Sequence, residues 1–267
     1  MDVGILGPLA ARVAGLPVTP TATKPRKVLA VLAAHADQVV PVDAFVDELW
    51  GDAAPRSATT TLQTYVMQLR GLIGAASARA GQPRDPKRVL VTRPGGYLLV
   101  TGELDLREFE RRAEAGHRAA RAGDVAGAAE HFRAALARWR GDPLVDVRVG
   151  AVLAAHVRRL TEARLSVLDR RVDADLRLGR HHEVLAELTG LVARHGTHEN
   201  LSAHLMVALY RAGRRGDAAH EYQRLRACLV DELGLDPSPA LRGLHRRVLA
   251  ADPLLLTPEP VRLDRAG

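Results

Sequence analysis

The spacing of apolar and polar positions changes several times over the first hundred residues. Residues 2–6 alternate and read as a strand that Gly7-Pro8 ends; residues 9–13 and 16–18 read as two more short strands around Ala14-Gly15. Beyond Thr23 the period becomes helical: Val28, Leu29, Val31 and Leu32 share a face, with Thr23 expected as N-cap and Pro25 in the first turn. Residues 38–40 read as extended and are closed by Pro41. A second helix over 42–50 gathers Phe45, Val46, Leu49 and Trp50 on one side. After a loop over 51–56, a third helix is expected from a Ser57 cap to about Ala75. Residues 76–87, with two prolines and small-residue patches, read as a flexible surface loop. Residues 88–92 and 97–100 look like strands joined at Arg93-Pro94-Gly95-Gly96, a hairpin signal. Three helices flanked by short strands and closed by a hairpin are the outline of a winged helix.

After Leu104 the pattern is helical throughout, and it repeats. Gly123, Ala128, Phe132 and Ala135 stand in steps of 5, 4 and 3, as do Gly179, Val184, Leu188 and Leu191, and again Gly213, Ala218, Tyr222 and Leu225. A glycine ends one helix, and the small and apolar residues form the seam along which the next packs back. Gly179 and Gly213 are 34 residues apart, the period of a tetratricopeptide helix pair. The wider first interval is expected to be filled by the Gly141-Asp-Pro143 loop and a long helix over 151–178. The alternative is a helical bundle with coincidental spacing. The expected fold is therefore mainly α: a winged-helix DNA-binding domain over 1–102, an all-α tetratricopeptide-like domain over 103–252, and a tail over 253–267.

The 267-residue chain carries a formal charge of +7, and only three of its 38 basic residues are lysine. That balance favours an anionic partner without naming it, and the arginine bias also fits a GC-rich genome. Residues 1–102 hold 11 Lys/Arg against 7 Asp/Glu, whereas the remainder holds 27 against 24, as solvated helix faces do. The single cysteine, Cys228, allows no disulfide within the chain, which fits a reducing, cytoplasmic setting. The N-terminus has neither the basic nor the apolar region of a signal peptide, and no run of about 18 apolar residues would span a membrane.

The third helix carries the candidate chemistry. At 100° per residue, Leu62, Val66, Leu69 and Ile73 form the core face, flanked by Tyr65 and Leu72. The opposite face carries Thr60, Thr64, Met67 and Gly71, with Gln63 and Gln68 at its shoulders, and no carboxylate. Amides, hydroxyls and apolar atoms suit base edges and the thymine methyl; the alternative is an outer face that merely lacks charge. Around it, Lys24, Arg26 and Lys27 open the first helix, Arg70 sits at the side of the third, and Arg88 and Arg93 flank the hairpin, all as candidate phosphate contacts. Arg93, at the tip, could also enter a minor groove. On this reading Arg70→Ala weakens binding on all sequences and flattens its salt slope by about one unit, whereas Gln68→Ala relaxes preference at one base position.

Longer segments add a family resemblance. GILGPL at 4–9, KPRKVLAVLAAHA at 24–36, VDAFVDELWG at 42–51, TTLQTYVMQLR at 60–70 and VTRPGGYLL at 91–99 are joined by DLREFERR at 105–112, WRGDPLVDV at 139–147, DADLRLGRHHEVLAEL at 173–188 and a long match over 208–245. Over about residues 3–252 the chain resembles the Streptomyces antibiotic regulatory proteins, an OmpR-type winged helix followed by a bacterial transcriptional activation domain. The resemblance implies an activator of antibiotic (secondary-metabolite) genes that binds tandem direct repeats of double-stranded promoter DNA as two copies, head to tail, and contacts RNA polymerase near its sigma factor. It implies base reading by Gln63, Thr64 and Gln68, and phosphate or groove contacts from Thr61, Tyr65, Arg70 and Arg93. It also implies a polymerase-facing loop of Gly51, Asp52, Ala53, Ala54, Pro55 and Arg56. Met67 and Gln68 depart from the more arginine-rich helix of the OmpR relatives, and Gly196 stands where the activation domain often has proline.

Other chemistries find little support in the sequence. His181, His182, His195, His198 and His204 cluster, but no HExxH or CxxC spacing accompanies them. There is no P-loop, no GxGxxG and no nucleophile motif, so no cofactor, metal or enzymatic activity is expected. Cys228 falls at an apolar helical position and reads as core. The remaining alternatives are a helical-repeat interaction or ligand-sensing module and a repressor of the same fold.

Overall fold

The computed structural model describes residues 1–257; of the tail expected over 253–267, the part from 258 on lies outside the described residues. The chain is mainly helical, and its described residues divide into two compact units, one of residues 1–112 with 134–165, the other of 113–133 with 166–257.

The first unit opens with an antiparallel sheet of β1 (Asp2–Gly4), β2 (Ala10–Val13) and β3 (Leu16–Pro17), turned at Ala14 and Gly15, both with positive φ. Three helices follow: α1 (Thr23–Ala34), α2 (Val42–Trp50) and α3 (Ala58–Arg79). Their core is the set of positions that share a helical face, Val28, Leu29, Phe45, Leu62, Val66, Leu69 and Ile73, each at most 2% exposed. The short strand β4 (Val39–Pro41), between α1 and α2, pairs with the wing hairpin of β5 (Leu90–Arg93) and β6 (Gly96–Leu99) in the order β4-β6-β5. Gly96 is required where β6 crosses β4, because a Cβ there would lie inside contact distance of the Val40 carbonyl oxygen.

Several local expectations are corrected. Thr23 is the first helical residue of α1, and the cap position is Ala22, without a side-chain bond. Ser57 stands at the cap of α3, but its hydroxyl caps nothing. The third helix does not stop at Ala75; alanines and the buried Ser77 carry it to Arg79. The expected loop over 76–87 shrinks further because Asp85 caps a helical turn, α4 (Pro86–Val89), by accepting from the Lys87 N–H, so the strand begins at Leu90 rather than 88.

The remaining helices are α5 (Asp105–Arg121), α6 (Val125–Leu136), α7 (Ala151–Arg177), α8 (His181–Arg194), α9 (Glu199–Arg211), α10 (Arg215–Leu233) and α11 (Pro239–Leu249). Gly123, Gly179 and Gly213 adopt nearly identical left-handed φ values of 80°, 76° and 76° at the turns between helices. The apolar residues that follow them at the repeated steps, from Ala128 to Leu225, are buried. In the second unit α9 is the central element, buried without interruption from Leu201 to Tyr210. Asp175, 1% exposed, accepts from Arg133, Arg171 and Arg180 at 2.9–3.2 Å and so ties α6, α7 and the turn before α8 together.

Candidate nucleic-acid interface

Helix α3 keeps one face in the core and turns the other outward. Thr60, Gln63, Thr64, Met67, Gln68 and Gly71 are exposed, Met67 by 70%, while Thr61 and Tyr65 are half-buried at the edges. No carboxylate occurs between Asp52 and Asp85, so the whole helix and its approaches lack negative charge. The Thr64 hydroxyl donates back to the Thr60 carbonyl at 3.2 Å, which leaves its oxygen free to accept on this exposed face. This surface offers amide donors and acceptors, hydroxyl acceptors and a thioether, with little cost of desolvating charge.

The candidate cations separate into two groups. Lys24, Arg88 and Arg93 are exposed and, among the described residues, form no ion pair or side-chain hydrogen bond; Lys24 lies over the Trp50 ring, 5.0 Å from its centroid. Lys87, beside Arg88 and equally free, is a cation that the sequence reading passed over. The other three are already engaged. Arg26 pairs with Asp146 and also donates to the Pro20 carbonyl. Lys27 donates to the Glu48 carbonyl at 2.8 Å and stands 3.5 Å from its carboxylate. Arg70 donates to the Leu90 carbonyl from Nε and Nη2, at 3.0 and 2.7 Å, and to Thr92 Oγ1 at 2.8 Å. Arg70 thus fastens the wing to α3, and the next residue along β5 after Thr92 is the free Arg93.

Residues 51–56 are exposed throughout; Gly51–Ala53 form a single 3-10 turn directly after α2. Glu48, which sequence reasoning did not single out, is 2% exposed. Its position three residues after the buried Phe45 was the available sign. Its carboxylate accepts the backbone N–H groups of Gly150 and Leu153 at the start of α7. Asp146 accepts from Leu9 N–H, and Asp105 from the N–H groups of Ile5 and Leu6, so each of these carboxylates has a structural use within the first unit. His181 and His182 have ring centroids 4.3 Å apart and pack on each other. Among the described residues no group of three His, Cys, Asp or Glu converges in the manner of metal ligands, and no helix is long and apolar enough to cross a membrane.

The comparisons with known proteins divide the chain in two. Residues 17–99 match the family model described as transcriptional regulatory protein, C terminal, and 104–249 match the bacterial transcriptional activator domain. The regulatory protein DnrI of Streptomyces peucetius is 49% identical over 95% of this chain and 93% of its own length. The transcriptional regulatory protein EmbR of Mycobacterium tuberculosis is 36% identical over 95% of this chain, which spans 64% of EmbR. The regulatory protein AfsR of Streptomyces coelicolor is 38% identical, and the chain spans 24% of it. The solved structure of EmbR in complex with a low-affinity phosphopeptide superposes with a TM-score of 0.86 and 36% identity, covering 94% of this chain and 65% of EmbR. The chain belongs to the Streptomyces antibiotic regulatory protein family, transcriptional regulators that join an OmpR-type winged helix to a bacterial transcriptional activator domain.

Proposed function

We propose that this regulator is a sequence-specific DNA-binding activator of a secondary-metabolite gene cluster, acting in the cytoplasm and without an enzymatic step. Helix α3 enters the major groove, and the β5–β6 wing lies over the adjoining backbone with Arg93 at or in the minor groove. Two copies occupy tandem direct repeats head to tail, and residues 51–56 face RNA polymerase near its sigma factor. The observations that support this reading are the exposed, carboxylate-free face of α3 and the exposed Lys24, Lys87, Arg88 and Arg93 on α1, α4 and the wing, unpaired among the described residues. Free guanidinium and ammonium groups supply phosphate affinity, and uncharged amides and hydroxyls supply discrimination between bases. Gln68 is assigned a base edge.

The experiment selects duplexes from random sequence with the full chain, then measures competition by single-base variants. Gln68→Ala should flatten preference at one base position per repeat, losing about 1–3 kcal/mol of discrimination there. An equal loss on every sequence removes Gln68 from base reading. Transcription in vitro from the selected site with purified holoenzyme separates activation from repression by the same fold.

A further inference from the structure

Glu48 lies in α2, yet its carboxylate oxygens serve a helix about a hundred positions away. One accepts from Gly150, which stands just before α7; the other accepts from the Leu153 N–H at 2.9 Å. These are donors of the first turn that no residue inside a helix can satisfy. Glu48 therefore caps the start of the 27-residue α7 from outside that helix, with its carboxylate at the positive end of the helix dipole. Lys27 of α1 supplies the balancing charge, at 3.5 Å. The fit is steric as well: a Cβ on residue 150 would stand 2.5 Å from the Glu48 carbonyl oxygen, so α7 begins against α2 through a glycine.

Close by in sequence, Asp146 accepts from Leu9 N–H and pairs with Arg26, making a second link of the same kind. Two residues after Glu48, α2 ends, and the exposed 51–56 segment begins. By contrast, the groups offered to DNA sit on α3 and the wing, and Arg70 holds those two together without Glu48.

We propose that Glu48 is a positioning residue that fixes α2 and the 51–56 segment to the start of α7, so that transcriptional output from bound complexes depends on it while DNA affinity does not. Arg26 and Lys27 then serve this junction rather than phosphates. The inference rests on the proposed function above, both the DNA binding and the polymerase-facing 51–56 segment.

The test uses the full chain, a duplex enriched by it from random sequence, and RNA polymerase holoenzyme. Glu48→Ala and Gly150→Ala disturb the junction from its two sides, and Glu48→Gln keeps an acceptor oxygen but loses the charge. Affinity should stay within about twofold of the unsubstituted chain. Transcripts at saturating occupancy should fall roughly fivefold or more in Glu48→Ala and Gly150→Ala, and less in Glu48→Gln. If Glu48→Ala fails to fold, the other two variants carry the comparison. Unchanged transcripts per bound complex overturn the proposal, as does a fall in affinity and transcripts in equal proportion, which marks mere loss of folded protein. An unsubstituted chain that binds no duplex, or binds without raising transcription, defeats the proposed function and this inference with it; unaltered output from the variants of a chain that binds and activates defeats this inference alone.

Discussion

Arg70 and Arg93 flank the same hairpin, but their surroundings give them different tasks. Arg70 holds the buried Leu90 by its carbonyl, whereas Arg93 is exposed and, among the described residues, unpaired. Removing the Arg70 guanidinium leaves a carbonyl short of its donors, a cost of about 1–3 kcal/mol. Arg70→Ala should therefore lower the thermal midpoint while the slope of log affinity against log salt stays as it was. Arg93→Ala should leave the midpoint in place and flatten that slope by about one unit, the signature of one lost phosphate contact. Melting curves and a salt titration on the two variants check both; exchanged phenotypes contradict the assignment. The sequence could show that both were long, cationic and near the wing, but not that the acceptors of Arg70 lie 20 and 22 residues further along the chain.

Among the elements, what repeats locally was readable and what depends on distant partners was not. The steps after Gly123, Gly179 and Gly213 exposed the repeat because a left-handed glycine and a buried seam are both local requirements. The core and outer faces of α3 followed from period, except at Leu72, expected beside the core and 41% exposed. Helix ends did not: Thr23 and Ser57 have capping chemistry, yet neither side chain caps, and α7 takes its cap from Glu48. A carboxylate satisfied from a hundred positions away leaves no local pattern. The intramolecular partners of Arg26, Lys27 and Arg70, three of the candidate phosphate contacts, were hidden from the sequence for the same reason. The wing offers a test of element geometry. Gly96→Ala pushes a methyl into the Val40 carbonyl and should destabilise the chain by about 3 kcal/mol. Gly71→Ala has open space on an exposed helix face and should stabilise it by up to about 1 kcal/mol. Denaturant midpoints order the two, and a Gly96→Ala chain as stable as the original contradicts the β4–β6 approach.

Across the whole molecule, charge and protonation set the conditions under which this architecture works. Burial pushes the His156 imidazole down to about 4, assisted by the neighbouring Arg159 and His35. His35 lies 5.6 Å away, centroid to centroid, at the end of α1. The folded pKa is below the ordinary 6.5, so the unfolded chain takes the proton first. The contribution is present above about pH 6.5 and is lost as pH falls toward 4. Burial drives the His204 imidazole in the same direction against the opposing pull of Asp169 and Asp173. The melting temperature should thus fall between pH 7 and 4.5, and His156→Gln should make that fall shallower; an unchanged profile removes His156 from the pH response. The central claim, that the outward face of α3 reads bases, meets its most direct test in methylation interference on a duplex selected by the full chain. The account predicts that methyl groups on guanine N7, in the major groove, block binding at matching positions in each direct repeat. Interference confined to minor-groove adenine N3, or absent although guanines lie within the repeats, would contradict it.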